Sequence, residues 1–277
     1  MTFQSDTFVG QNKLKLFYRV YKPDGKITAI LLPVHGLCEH SGRYLNVVNY
    51  FVPRGYAFYI LDHRGHGQSE GTPGYVEKFS YFVDDLNTFM GIVRRENPAS
   101  KIFLVGHSIG GLIASIYAID HQKEFDGLIV SAATIQPGSS MNKKKLLLAR
   151  MLAFIAPHLG MEKINADGIS RSEKEVAAYE NDPLVYRGKI TIRLGLELIN
   201  AMRYFDKQMY TIRLPVLIMS GTSDILSDPK SSKTLFDNIS SKDKMLKYYT
   251  DFYHEIFNEP QCEEVFVDME HWLATHL

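Results

Sequence analysis

Cysteine, net charge and long apolar runs are all scarce in this chain, and each scarcity closes off a class of protein. Cys38 and Cys262 are its only cysteines. Neither lies in a Cys-x-x-Cys or histidine-rich setting, so no disulfide framework and no structural metal are expected, and a reducing, cytoplasmic compartment fits best. Lysine plus arginine number 31 and aspartate plus glutamate 31. With no basic run beyond Lys143, Lys144 and Lys145, no nucleic acid is expected as a partner. No apolar stretch reaches the roughly 18 residues that a membrane span requires. The opening MTFQSDTFVGQNKLKLFYRV has no basic segment followed by an apolar one, so the chain is expected to be soluble and unprocessed.

What is present is ordinary globular material. The 277 residues, 45% hydrophobic and 12% aromatic, suit one large domain with an insertion. Residues Lys13 to Tyr21 alternate and precede Pro23-Asp24-Gly25, which predicts an opening antiparallel strand or hairpin. Ile27 to Val34 and Tyr56 to Leu61 are nearly continuous apolar runs, as expected of strands buried on both faces. Between them Tyr44, Val47, Val48, Phe51 and Val52 fall at helical spacing, and a longer helix is predicted from Phe79 to Val93. Asp62 to Gly71, DHRGHGQSEG, is a glycine-spaced polar loop without the spacing of a phosphate cradle, and reads as a tightly turned structural loop.

Between Lys101 and Gly111 the chain reads KIFLVGHSIGG: a short apolar strand, a sharp turn at Ser108, then Ile109, Leu112, Ile113, Ile116 and Tyr117 on one helical face. Strand, G-x-S-x-G and helix together make a nucleophile elbow, in which a strained serine stands exposed at the edge of a sheet. Gly127 to Ala133 and Pro215 to Gly221 are further buried strands, a last one is predicted near Met245 to Thr250, and Cys262 to Leu273 form a closing helix. Strands alternating with helices predict a mostly parallel, doubly wound α/β sheet. From about Thr134 to Arg213 the alternation lapses, so residues 1–133 and 214–277 form the core and 134–213 an insertion. The basic-then-apolar stretch Lys143 to Pro157 admits two readings: a helix buried against the main domain, or a lid whose apolar face meets lipid while its lysines meet anionic headgroups.

A serine hydroxyl needs a base, and the base a group to orient it. In a parallel sheet the loops after strand ends share one edge, so candidates follow strands. His254, after the last strand, is the base. Asp224, three residues past PVLIMSG, is the acid; Asp228 before Pro229 looks like a helix cap, and Asp251, on the same loop as His254, is a lesser alternative. The N–H groups of Ile109 and Leu37 are the expected oxyanion donors.

The segments HGLCEHSGRY, GHGQSEG, GHSIGG, SGTSD and YHEIFNE resemble the α/β-hydrolase fold and, within it, the monoacylglycerol lipase and lysophospholipase-like group of serine hydrolases, along almost the whole chain. That resemblance implies the same triad and oxyanion donors, a helical cap forming an acyl tunnel, and Glu39 with Arg43 at the polar end of the substrate; the alternative for these two is a structural ion pair beneath the loop. It also implies carboxylic-ester hydrolysis with no cofactor, a small lipid ester as substrate (monoacylglycerol first, lysophospholipid or a short-chain ester next) and peripheral membrane contact through the cap. Peptidase activity and a non-catalytic lipid-binding module are the lower-ranked readings. One departure is Phe257, where animal monoacylglycerol lipases carry a second histidine.

Overall fold

The computed structural model describes residues 1–136 and 143–277; of Lys143–Lys145 it describes the backbone only. The expected lysine contacts with headgroups therefore lie outside the described residues. The strands are β1 Thr2–Val9, β2 Lys15–Lys22, β3 Ala29–Val34, β4 Tyr56–Leu61, β5 Ile102–His107, β6 Gly127–Ser131, β7 Gly160–Glu162, β8 Ile190–Thr191, β9 Val216–Gly221 and β10 Lys244–Tyr249. The helices are α1 Leu45–Phe51, α2 Ser80–Glu96, α3 Ile109–His121, α4 Lys143–Ile155, α5 Glu173–Asn181, α6 Ile192–Gln208, α7 Lys230–Asn238 and α8 Cys262–Ala274.

Eight strands form one sheet in the order β1-β2-β4-β3-β5-β6-β9-β10, antiparallel at the β1–β2 and β2–β4 contacts and parallel from β4 to β10. The central strands are apolar throughout because both faces are covered. Ile30, Leu32, Leu104, Leu128, Val130 and Ile218 point to one core with α2 and α3. Leu31, Phe103, Val105, Ile129, Leu217 and Met219 point to the other with α1 and α8. The side-chain period of two thus divides each strand between two cores, and all the parallel strands end at one edge.

The structure departs from the sequence expectation at several places. The first eight-residue strand, β1, was not anticipated; its residues are almost all exposed and it is held by pairing with β2 rather than by burial. Strand β6 stops at Ser131, two residues short of Ala133, because Ala132 takes a left-handed φ of 48° and turns the chain off the sheet. The last strand ends at Tyr249, before the left-handed Asp251 at φ 64°.

Between β6 and β9 the chain leaves the main sheet. Helix α4 packs on α6 through Leu146 and Ala153 against Ile192, Leu196 and Ile199. Helix α6 reaches down to the first core through Leu194, Met202 and Phe205. The opposite side of α4 presents Leu147, Leu148, Met151, Phe154 and Ile155 to solvent. Among the described residues no helix is long and apolar enough to cross a membrane.

Candidate active site

Strand β5 passes into α3 through Ser108, whose φ of 54° and ψ of −121° lie in a region that L-residues rarely adopt. The bend survives because the residues two positions to either side are glycines: a Cβ on Gly106 would lie 2.6 Å from the Gly111 Cα, and one on Gly110 would collide with the Val34 carbonyl oxygen. The Ser108 N–H donates to the Ser131 carbonyl at 2.9 Å, which ties the elbow to the end of β6.

Three other strand ends meet Ser108 around a cavity of about 360 Å³, lined also by Leu37, Ile109, Thr134 and His254. The Nδ1 of His254 lies 2.8 Å from Oδ2 of Asp224. Oδ1 of Asp224 accepts the N–H groups of Leu226 at 2.8 Å and Ser227 at 2.9 Å, which fix the carboxylate plane. With Nδ1–H directed at Asp224, Nε2 of His254 is left as the basic nitrogen. Asp228 accepts the Lys230 N–H in the turn that leads into α7, one residue before the cap position, which Pro229 occupies. Asp251 is exposed, and the imidazole is paired with Asp224 instead. Ser108 Oγ is not hydrogen-bonded to His254; its partner is Thr134 Oγ1, at a long 3.4 Å.

Electrostatics separates the two histidines that meet here. Burial would lower the His254 imidazole, but the hydrogen bond and charge of Asp224, with the charges of Glu255 and Glu39, outweigh it and raise its pKa above the usual value. The His107 ring sits 4.8 Å from that of His254. Burial first, and the charge of His254 next, push His107 well below the imidazole range, so it stays neutral beside His254.

The loop after β3 supplies the opposite wall. The N–H groups of Leu37 and Ile109 take no acceptor among the described residues, and both residues line the cavity with Ser108. Glu39 lines the same cavity, accepts the Gly36 N–H at 2.5 Å and lies 3.8 Å from Arg43. Arg43 is not on this wall. It is buried behind it, stacked 4.9 Å over Tyr179; besides the 3.8 Å pair with Glu39 that sequence offered as the alternative to headgroup contact, it makes a closer one, 2.6 Å, with Glu255, which sequence did not offer. Phe257 is buried in the second core beside Phe266.

The GHGQSEG loop is structural, as its spacing suggests: Asp62 accepts the Ser41 N–H through one oxygen and the Gln68 N–H through the other. Below it His35, His63 and His66 form a buried cluster that sequence reasoning did not find, since three histidines in two loops follow no period. Thr134 and Glu255 were also missed; their only sequence signal is adjacency to a strand end and to the base. Among the described residues no three of His, Cys, Asp and Glu are arranged to hold a metal ion.

Residues 25–261 match the family described as Serine aminopeptidase, S33. The chain is 32% identical over 276 residues to a monoacylglycerol lipase of Mycolicibacterium smegmatis, covering 100% of this chain and 99% of that one. Among solved structures, the monoacylglycerol lipase of Paleococcus ferrophilus superposes with a TM-score of 0.81 at 31% identity, covering 95% of this chain and 99% of that one. A soluble variant of the Saccharomyces cerevisiae monoglyceride lipase, in complex with a substrate analog, superposes with a TM-score of 0.86 at 25% identity, covering 99% of this chain and 94% of that one. The mostly parallel sheet and its flanking helices are thus the α/β-hydrolase fold.

Proposed function

The chain belongs to the Serine aminopeptidase, S33 family of α/β-hydrolases, and from that premise we propose that it is a monoacylglycerol lipase, releasing fatty acid and glycerol through an acyl-enzyme. The observation that carries the reading is the strained Ser108 facing one cavity with the Asp224–His254 pair, beneath an apolar roof from Ile164, Ile169, Ile190, Leu198 and Ile225.

In this reading the Ser108 hydroxyl turns from Thr134 toward His254, giving up one long hydrogen bond. Its oxygen adds to the ester carbonyl while its proton passes to Nε2 of His254, and Asp224 stabilises the imidazolium. The oxyanion rests on the N–H groups of Leu37 and Ile109. Collapse breaks the ester bond, and the glycerol oxygen leaves with the proton from His254. Water, deprotonated by His254, then adds to the acyl carbonyl, and the second collapse returns a proton to Ser108 and frees the fatty acid.

Residues 134–213 act as the cap over the acyl chain. Its tie to the site is direct: the His254 N–H donates to the Gly168 carbonyl at 3.4 Å and the Glu255 N–H to the Ile169 carbonyl at 2.7 Å. The apolar face of α4, continued by exposed Leu159 and Met161, is the surface through which a cytosolic enzyme rests on a lipid layer. Of the three carboxylates that line the cavity, Glu39 and Glu255 face Arg43 and are not free to bind the amino terminus of a peptide, while the third, Glu162, is solvent-exposed.

A fluorophosphonate probe should label the folded protein and not Ser108→Ala; a parent protein that stays unlabelled would sink the nucleophile assignment. Turnover of monoacylglycerol, diacylglycerol, lysophosphatidylcholine and a peptide amide should then be greatest for monoacylglycerol. Preference for lysophosphatidylcholine or for the amide would replace the substrate assignment.

A further inference from the structure

The residue before the Leu37 donor is a glycine in close quarters. A Cβ on Gly36 would lie 2.9 Å from Oε1 of Glu39 and 3.2 Å from the Ser108 Cβ. Glycine, however, has the freest backbone of any residue, and a rotated Gly36–Leu37 peptide would turn the Leu37 N–H away from the cavity. Something must hold it, and two side chains do.

On one side, the Gly36 N–H donates to Oε1 of Glu39. On the other, the Gly36 carbonyl lies 2.8 Å from Nδ1 of His35. Because Nε2 of His35 accepts the backbone N–H of His63 at 2.9 Å, Nδ1 carries the proton and donates to that carbonyl. In a trans peptide the N–H points opposite to the C=O, so a carbonyl held by His35 sets the direction of the Leu37 N–H. Both peptide units of Gly36 are therefore restrained. The curl that returns Glu39 to Gly36 passes through Cys38 at a left-handed φ of 69°, with its carbonyl held by the Tyr186 N–H at 3.0 Å.

We propose that Glu39 is a positioning residue of the oxyanion hole: with His35 it locks Gly36 from both sides, so that the Leu37 N–H stays turned toward the reacting carbonyl. This places Glu39 in acyl transfer itself and separates it from recognition of the alcohol. It rests on the nucleophile assignment of Ser108. The charged and titratable groups around Glu39 are Arg43 and Glu255 beside its carboxyl, Tyr44 at 3.3 Å, Cys38 and Tyr179, and, lining the same cavity, His254 and His107. Burial and the charge of Glu255 raise its carboxyl to about 7 against the pull of Arg43 and the Gly36 N–H. Its oxygen accepts the Gly36 N–H in either protonation state, since a protonated carboxyl keeps its carbonyl oxygen.

The test uses p-nitrophenyl butyrate, an ester without a glycerol headgroup, on the full chain. Glu39→Met, of similar volume but with no acceptor, should lower kcat by about 10²-fold with KM changed little, the scale of losing one oxyanion donor. Glu39→Gln restores an acceptor and should recover at least about tenfold of that loss. Its acid limb of kcat/KM should also move to lower pH, because one negative charge that raises His254 is gone. Parental kcat in a folded Glu39→Met would overturn the proposal, as would a loss confined to KM for glycerol esters, which marks a headgroup contact. If Glu39→Met does not fold, Glu39→Gln decides: within tenfold of parental kcat supports the proposal, and a 10²-fold loss at parental Tm overturns it. Fluorophosphonate labelling of the parent protein separates this failure from failure of the Ser108 assignment.

Discussion

His254 and Asp224 stand 30 residues apart in sequence and 2.8 Å apart in space, and the carboxylate that orients the ring is itself held by two backbone N–H groups. An amide can keep the contacts to Leu226 and Ser227 through its oxygen but presents an NH₂ where the ring needs an acceptor. Asp224→Asn should therefore fold with a parental Tm and lose about 10⁴-fold in kcat, as expected when the imidazole is forced into the wrong tautomer. Steady-state kinetics beside a thermal melt check this, and a loss under tenfold would speak against Asp224 as the orienting acid.

The pH dependence of kcat/KM follows from the same pair. In the proposed mechanism His254 acts as a base only when neutral, and its pKa is raised by Asp224, Glu255 and Glu39 against the effect of burial. Activity should thus fall on acidification with a midpoint above the ordinary imidazole value of about 6.5. Removing one of the distant charges with Glu255→Gln should move the midpoint down. A profile centred below 6 in the parent protein would show that burial, not the carboxylates, prevails.

Stability should fall in acid for a separate reason. Burial holds His35 and His66 below the imidazole range, and burial with the charge of His66 lowers His63 from 6.5 to about 3. The unfolded chain binds more protons than the folded one between those values, so stability declines as pH drops from about 6.5 toward 3. His63 alone accounts for a loss on the order of 4 kcal/mol across that window. Urea midpoints at pH 7, 6 and 5 should decrease in step, and the exposed control His271→Gln should show the same slope. A flat series would mean that the cluster is protonated or hydrated in the fold.

Gly110 carries the close approach of α3 to the sheet, since a Cβ there meets the Val34 carbonyl oxygen, which cannot move without breaking β3. Gly110→Ala should cost about 3 kcal/mol or more by denaturant titration and reduce fluorophosphonate labelling of whatever folds. Gly91, exposed on α2 with open space where a Cβ would stand, is the matched control. Gly91→Ala should be neutral or slightly stabilising, as alanine is the better helix former.

The sheet could be read from the sequence because its central strands are buried on both faces and leave uninterrupted apolar runs: Ile102 to Val105, Val216 to Met219, Ala29 to Leu32. The residues after those runs gave Ser108, Asp224 and Leu37, and His254 followed because a parallel sheet brings its loops to one edge. Strand β1 was not legible, since TFQSDTFV buries little and owes its conformation to pairing with β2. The polar network was legible only in part. Arg43 and Glu255 are 212 residues apart, and no local pattern marks a buried charge whose partner arrives through tertiary folding. The direction of the Ser108 hydroxyl, toward Thr134, depends on a side-chain rotamer that sequence does not constrain.

The exposed face of α4 yields the most direct test of the proposed contact between the cap and lipid. Phe154 is 87% and Ile155 74% exposed, far beyond what a core-facing helix leaves in water. Burying two such side chains in a lipid layer stabilises association by roughly 3–6 kcal/mol, or a factor of about 10² to 10⁴ in partitioning. Neither residue lines the cavity, so Phe154→Ser with Ile155→Ser should leave hydrolysis of a soluble short-chain ester unchanged. The same double variant should lose sedimentation with phosphatidylcholine vesicles and turn over vesicle-embedded monoacylglycerol at least tenfold more slowly. Equal vesicle binding by parent and variant would remove α4 from the membrane contact and leave the cap as a cover for the acyl chain alone.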